Sequence, residues 1–313
     1  MKVGITCAGI GPYASGDVLR RAAQACERHG FAHFWLPDHV VLFADYPESD
    51  YPYGESTVGA KEDQDPDAAL QLGSSNPIPD PRNPFVDTVV ALTWMAAATS
   101  RIEIGSNILV LPQHSPVILA KMLATLDSFS HGRVILGVGS GWAKEEYEAC
   151  GADFATRGKR LDEAIAVLRT LWNDEASSFS GAFFNFKDAY SFPKPARPGG
   201  IPILMGGESK PALRRLARVG DGWLPYNMPV EEAPRMIREL KDMTRAEGRD
   251  PDRLRIIKIV YTSAELDELK RYVDAGVTEF NVATSGEIPL DDAGMEAKIA
   301  EFAERLVAPL ERW

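Results

Sequence analysis

The feature that most constrains this chain is its rhythm: short apolar runs alternate with amphipathic stretches along most of its length. A strand covered on both faces reads as a brief apolar run, and parallel neighbours need a crossover between them, so this order favours parallel strands joined by helices. Residues 3–7 read as a first strand. Residues 17–28 then place Val18, Leu19, Ala22, Ala25 and Cys26 at helical spacing, with Gly30 as the stop. Residues 32–36 form a second strand, 84–99 a helix and 101–109 a third strand. After Ser115 as N-cap and Pro116 at the first helical position, Leu119, Met122, Leu123, Leu126 and Phe129 make a buried stripe that Gly132 ends. A strand at 134–138 precedes a helix at 160–172, whose inner face is Leu161, Ala164, Ile165, Leu168 and Trp172. Further strands fall at 202–205, 222–225, 254–260 and 278–283, each with helical sequence beside it.

Counted together these are about eight β/α units, the number at which a parallel sheet closes into a (β/α)8 TIM barrel. The 313 residues, with no internal repeat and no second composition regime outside one segment, fit a single domain over 1–313. That segment is 40–83, rich in Tyr, Pro, Gly, Ser and acidic residues. Long irregular insertions in compact domains are usually lids, binding loops or disordered insertions, so it is read as a substrate-side lid, with a passive surface insertion as the alternative. Phe43, Tyr46, Tyr51 and Tyr53 within it suit a bulky apolar ligand or ordinary loop packing equally. Residues 177–200, with Phe179, Phe183, Phe184 and Phe186, read as a hairpin-like excursion.

Charge narrows the function classes. With 34 Lys and Arg against 45 Asp and Glu the net charge is −11, which repels phosphate backbones and argues against a nucleic-acid partner. One helix N-terminus or local arginine can still hold an anionic cofactor. Cys7, Cys26 and Cys150 contain no C-x-x-C and suit reduced thiols. No apolar run approaches the ~20 residues of a membrane span, and a cytoplasmic location without membrane contact is expected. The histidines include no H-x-H or H-E-x-x-H pair, so no metal site is expected, and there is no G-x-S-x-G elbow for a serine nucleophile.

In a parallel barrel the reacting groups come from the C-terminal ends of the strands. Three such ends stand out. Pro37-Asp38-His39 follows the second strand: His39 can exchange a proton near neutrality and the adjacent Asp38 can orient it, or the pair can simply cap the strand. Gly137-Val138-Gly139-Ser140-Gly141-Trp142 permits close backbone approach to a ligand, but it lacks the third glycine of the dinucleotide fingerprint and equally suits a tight turn with Trp142 as packing. Met205-Gly206-Gly207-Glu208-Ser209 precedes a helix over 210–219, with Ser209 as N-cap and Pro211 in the first turn. That arrangement presents free amides at the positive end of a helix, as in a phosphate cradle, though a capped turn with no ligand has the same form.

Taken in order, Phe34-Trp35-Leu36-Pro37-Asp38-His39, the run Ile104-Gly105-Ser106-Asn107-Ile108-Leu109-Val110-Leu111-Pro112, the block from Ala120-Lys121 through Gly132-Arg133 to Gly141-Trp142, and Gly206-Gly207-Glu208-Ser209 with Asp221-Gly222-Trp223 resemble the luciferase-like monooxygenase superfamily. The likeness is greatest to its deazaflavin (coenzyme F420)-dependent oxidoreductase branch and covers roughly 1–42 and 84–250. It implies a redox ring lying across the barrel mouth, backed by a bulge after the third strand. That bulge carries a non-prolyl cis peptide, which maps to Asn107-Ile108 or, one step earlier, to Ser106-Asn107. The likeness sets Ser140, Gly141 and Trp142 against the cofactor and wraps Met205, Gly206, Gly207, Glu208 and Ser209 around its phosphate. His39 corresponds to an acid/base histidine of related sugar-phosphate dehydrogenases. Those enzymes carry a carboxylate where this chain has Trp142, which argues against glucose 6-phosphate as substrate; Glu145 and Glu146, one helical turn on, are not assigned its role. The expected function is therefore hydride exchange between F420 and an organic small molecule in a homodimeric enzyme. FMN-dependent monooxygenation is the alternative cofactor chemistry, and a non-catalytic flavin-binding protein the alternative class.

Overall fold

The computed structural model describes residues 1–49, 80–284 and 286–313. Eight parallel strands close into a barrel: β1 (Lys2–Thr6), β2 (His33–Leu36), β3 (Glu103–Val110), β4 (Val134–Gly139), β7 (Ile203–Gly206), β8 (Gly222–Leu224), β9 (Arg255–Tyr261) and β10 (Glu279–Ala283), with β10 pairing back onto β1 through Lys2 and Glu279. The helices α1 (Gly16–Arg28), α2 (Thr88–Ala98), α3 (Pro116–Phe129), α5 (Arg157–Asn173), α6 (Lys210–Val219), α7 (Ala233–Ala246), α8 (Leu266–Ala275) and α9 (Asp292–Phe302) cover it. A short helix α4 (Lys144–Ala149), which the sequence pattern does not announce, follows β4. An antiparallel hairpin of β5 (Ser177–Ser180) and β6 (Asn185–Ala189) is the anticipated excursion. Of the segment read as a lid, residues 50–79 lie outside the described residues, and so do Tyr51 and Tyr53.

The barrel interior is stacked in layers, as closed eight-stranded sheets require. Toward the N-terminal ends of the strands the layer is ionic. Arg255 Nε lies 2.6 Å from Glu279 Oε1, Arg255 Nη2 lies 2.9 Å from Glu103 Oε2, and His33 Nε2 is 3.1 Å from Glu279 Oε2. Trp35 Nε1 donates to His33 Nδ1 at 2.5 Å. Burial opposes charge on Glu279, but His33 and Arg255 outweigh it and hold the carboxyl at about 2; burial pulls the enclosed His33 down. Above this layer Trp35, Ile135, Leu204, Leu224 and Ile257 form a dry core that closes the barrel's middle.

Two expectations for α3 need correction. Met122 and Phe129 were placed in its buried stripe, yet they are 40% and 73% exposed, while Leu119, Leu123 and Leu126 are buried as expected. Apolar residues extend past the inward face, where Met122 and Phe129 flank the outward Lys121, Thr125 and Ser128, so apolar residue type alone does not say which of them point inward. Ser115 stands at the N-cap position, but its side chain makes no capping bond. On α6, by contrast, Ser209 accepts from Ala212 N, as its sequence implies. Among the described residues no helix is long and apolar enough to cross a membrane, and no His, Cys, Asp or Glu cluster suits a metal.

Candidate active site

The mouth is organised by a bulge. The β3–β4 register shifts between Ser106 and Leu109, and the Asn107–Ile108 peptide is cis, the first of the two positions implied by the family likeness. Ser106 is buried, its Oγ donating to Gly137 O at 2.8 Å, so its side chain supports the bulge from behind. Ile108 then reaches across the barrel top. A Cβ on Gly139 would come within 2.5 Å of Ile108 Cδ1, and one on Gly206 within 3.1 Å of Ile108 Cγ2. The glycines that end β4 and β7 therefore make room for a side chain from β3, and three strand ends distant in sequence converge.

Beside this platform, Gly207 turns the chain at φ +95°, a left-handed conformation that favours glycine. Its carbonyl accepts from Trp223 Nε1 at 3.0 Å, which fixes the turn. Gly207 N continues the β7–β8 ladder toward Leu224 O, while the amides of Glu208 and Ser209 meet no acceptor among the described residues and stand at the start of α6, where the helix dipole favours an anion. The Glu208 carboxylate is engaged elsewhere, accepting from Tyr226 N at 2.6 Å and Asn227 N at 2.9 Å. Met205 is buried.

On the opposite rim, His39 follows β2 with 19% of its side chain exposed. Its ring stands edge-on to Phe85 at 5.5 Å and to Trp142 at 6.2 Å. Trp142 packs on buried Tyr46 at 4.8 Å. Gly141 takes a positive φ of 62°, and Ser140 O accepts from Tyr147 OH at 2.5 Å. Burial pushes the Tyr147 phenol well up, so it stays a neutral donor.

The carboxylate partner anticipated for His39 was Asp38; the structure assigns a different one. Glu146, 1% exposed in α4, lies 3.1 Å from His39 Nδ1 through Oε2, while its Oε1 accepts from Val40 N at 2.6 Å and Val41 N at 3.3 Å. Asp38 turns the other way. It accepts from Val110 N at 2.9 Å and Thr88 Oγ1 at 2.8 Å and faces His114 Nε2 at 3.3 Å, tying β2 to β3 and α2. Burial raises the Asp38 carboxyl, but His114 and these donors outweigh it and hold it below its ordinary value. Burial likewise lowers His114, yet Asp38 dominates and lifts it.

Sequence reasoning thus missed Glu146 and His114 as members of the mouth. The only signal for Glu146 was the Glu145-Glu146 doublet after the glycine run. Glu145 serves the same helix differently, accepting from Glu48 N at 2.8 Å and Ser49 Oγ at 2.5 Å.

The sequence profile of the luciferase-like monooxygenase family matches residues 5–305. An uncharacterised protein of Mycobacterium tuberculosis is 33% identical over 293 residues, 92% of each chain. An F420-dependent glucose-6-phosphate dehydrogenase of Kineococcus radiotolerans is 36% identical over 141 residues, 44% of this chain and 41% of the relative. Among solved structures, the long-chain alkane monooxygenase LadA superposes with a TM-score of 0.76 at 14% identity, covering all of this chain and 91% of the other. With the bulged barrel mouth and the family match spanning nearly its whole length, the chain belongs to the luciferase-like monooxygenase family of F420- or flavin-dependent oxidoreductases.

Proposed function

We propose that the protein is an F420-dependent oxidoreductase that transfers hydride between the reduced cofactor and an organic small molecule, with His39 exchanging the accompanying proton. The observation that carries this reading is the convergence of Ile108, Gly139 and Gly206 at one end of the barrel beside the free amides of Glu208 and Ser209. A flat ring needs a platform without intruding side chains, and a phosphate needs donors at a helix start; both are present, so the residues fit such a cofactor. When bound, the cofactor supplies the hydride chemistry. The chain's own part is to hold the phosphate through the amides of Glu208 and Ser209, to support the ring on the Asn107–Ile108 bulge and the Ser140–Trp142 turn, and to keep His39 at the rim.

The local likeness to an F420-dependent dehydrogenase supports the deazaflavin over FMN. Titrating the purified protein with F420 and with FMN and comparing Kd values tests the choice, and binding of neither sinks the reading. Tighter FMN binding with substrate-dependent O2 consumption would select the monooxygenase alternative. Deuterium-labelled reduced cofactor that labels no product, without O2 use, would leave a binding protein. His39→Ala should keep cofactor binding and lose turnover by about 10²–10⁴-fold.

The active form is proposed to be a homodimer working in the cytoplasm. Val90 and Trp94 on α2 and Ile118, Met122 and Phe129 on α3 leave an exposed apolar face of the kind that subunit contacts cover. The three free thiols suit a reducing compartment.

A further inference from the structure

We infer that Glu146 is the positioning residue that fixes the tautomer and orientation of His39, so that Nε2 is the nitrogen that exchanges protons at the mouth. The inference rests on the proposed role of His39. Glu146 is almost fully enclosed, and an enclosed carboxylate persists only where donors meet it. Here three do: Val40 N and Val41 N on Oε1, and His39 Nδ1 on Oε2. Oε1 already accepts two backbone N–H groups and a carboxylate has no proton to give, so Nδ1 is the donor to Oε2 and Glu146 only accepts. Neutral His39 is then the Nδ1–H tautomer, with the Nε2 lone pair free to take a proton and later return it. Flipping the ring would give up this bond for none among the described residues, and the edge-on neighbours Phe85 and Trp142 confine it further. Because one carboxylate holds both the ring and the two residues after it, the imidazole and its backbone are set as one unit. The partner lies 107 positions away in the chain, on a helix of six residues.

The bland alternative is that Glu146 merely caps the turn at Val40 and Val41. The two are separated by ¹⁵N NMR of histidine-labelled protein without cofactor at mildly alkaline pH. Nδ1 of His39 should be the protonated nitrogen in the wild type. In Glu146→Gln the amide oxygen can keep the Val40 and Val41 bonds while its NH2 donates to Nδ1, so the proton should move to Nε2. An Nε2–H tautomer in the wild type, or the same tautomer in both proteins, overturns the inference, and the wild-type spectrum decides even if the variant folds poorly. In turnover, Glu146→Gln should lower kcat by about 10²–10⁴-fold with cofactor Kd unchanged. The same substitution in a His39→Ala background should cost nothing further, since the residue acts through the imidazole. An equal loss in both backgrounds would assign Glu146 to the fold and overturn the proposal. If His39→Ala itself leaves turnover intact, the role of His39 fails, while the NMR comparison still reads whether Glu146 sets the tautomer.

Discussion

Two glycines two residues apart on β4 should respond differently to the same added methyl group. Gly137→Ala places a Cβ 2.1 Å from the Ser106 carbonyl oxygen and 2.6 Å from Leu224 Cδ1. Carbon and oxygen approach comfortably at about 3.3 Å, so backbone that sits just before the bulge has to retreat by about 1.2 Å. Overpacking of this kind costs about 1–3 kcal/mol and more where backbone rather than a side-chain tip must move. In a chain of this length that is a fall of about 2–5 °C in Tm. Gly139→Ala instead meets the tip of Ile108, with Cδ1 at 2.5 Å and Cγ1 at 3.1 Å. A side chain swings aside for about 0.5–1.5 kcal/mol, so Tm should change little. Ile108 would, however, be re-aimed over the mouth, and cofactor Kd should rise about tenfold or more, which corresponds to about 1.4 kcal/mol. Calorimetry and fluorescence titration of both variants make the comparison. Wild-type Tm in Gly137→Ala, or unchanged cofactor affinity in Gly139→Ala, refutes the account of the bulge and its platform.

Other perturbations follow from the same geometry. Glu279 is held at about 2, below an ordinary carboxyl, so its contribution is present above about 4.5 and is lost as pH falls toward 2. Glu279→Gln should therefore lose about 3 kcal/mol at neutral pH, a deficit that shrinks through that window in urea melts; a pH-independent deficit counts against the ionic layer. For the Asp38–His114 pair, the Asp38 part is present above the ordinary carboxyl range and fades as pH falls through it. The His114 part is present below the ordinary imidazole value and fades as pH rises through its lifted one. The deficit of Asp38→Asn should thus peak in mildly acidic solution, and a profile that rises steadily into the alkaline range contradicts this assignment. Ile118→Asp and Phe129→Asp should convert a dimer to monomers in sedimentation velocity with cofactor binding retained. A wild-type monomer removes the proposed interface.

Much of the fold was legible because it is written in local periodicity. The amphipathic run at 210–219 with Ser209 ahead of it is the observed α6 with its cap, and the inner face read for 160–172 is buried residue by residue. Strand count and order imply closure, since buried parallel strands linked by helices leave few alternatives. The bulge position came from the ordered motifs around Ser106, Asn107 and Ile108, which no periodicity would have revealed.

What required the tertiary structure is which residues meet. Asp38 sits beside His39 in sequence, yet strand geometry turns its carboxylate to Val110 N, Thr88 and His114, leaving Glu146 to reach the imidazole. Arg255 joins Glu103 from 152 residues away inside the barrel, and Met122 and Phe129 prove to face outward, on a helix whose apolar residues extend onto its outer face. The sequence by itself determined where strands and helices run and that they close, because each residue's inward or outward bias repeats over a few positions. Partnerships at the mouth and in the barrel floor depend on how closure superposes strand ends far apart in the chain, and only the three-dimensional arrangement decides them.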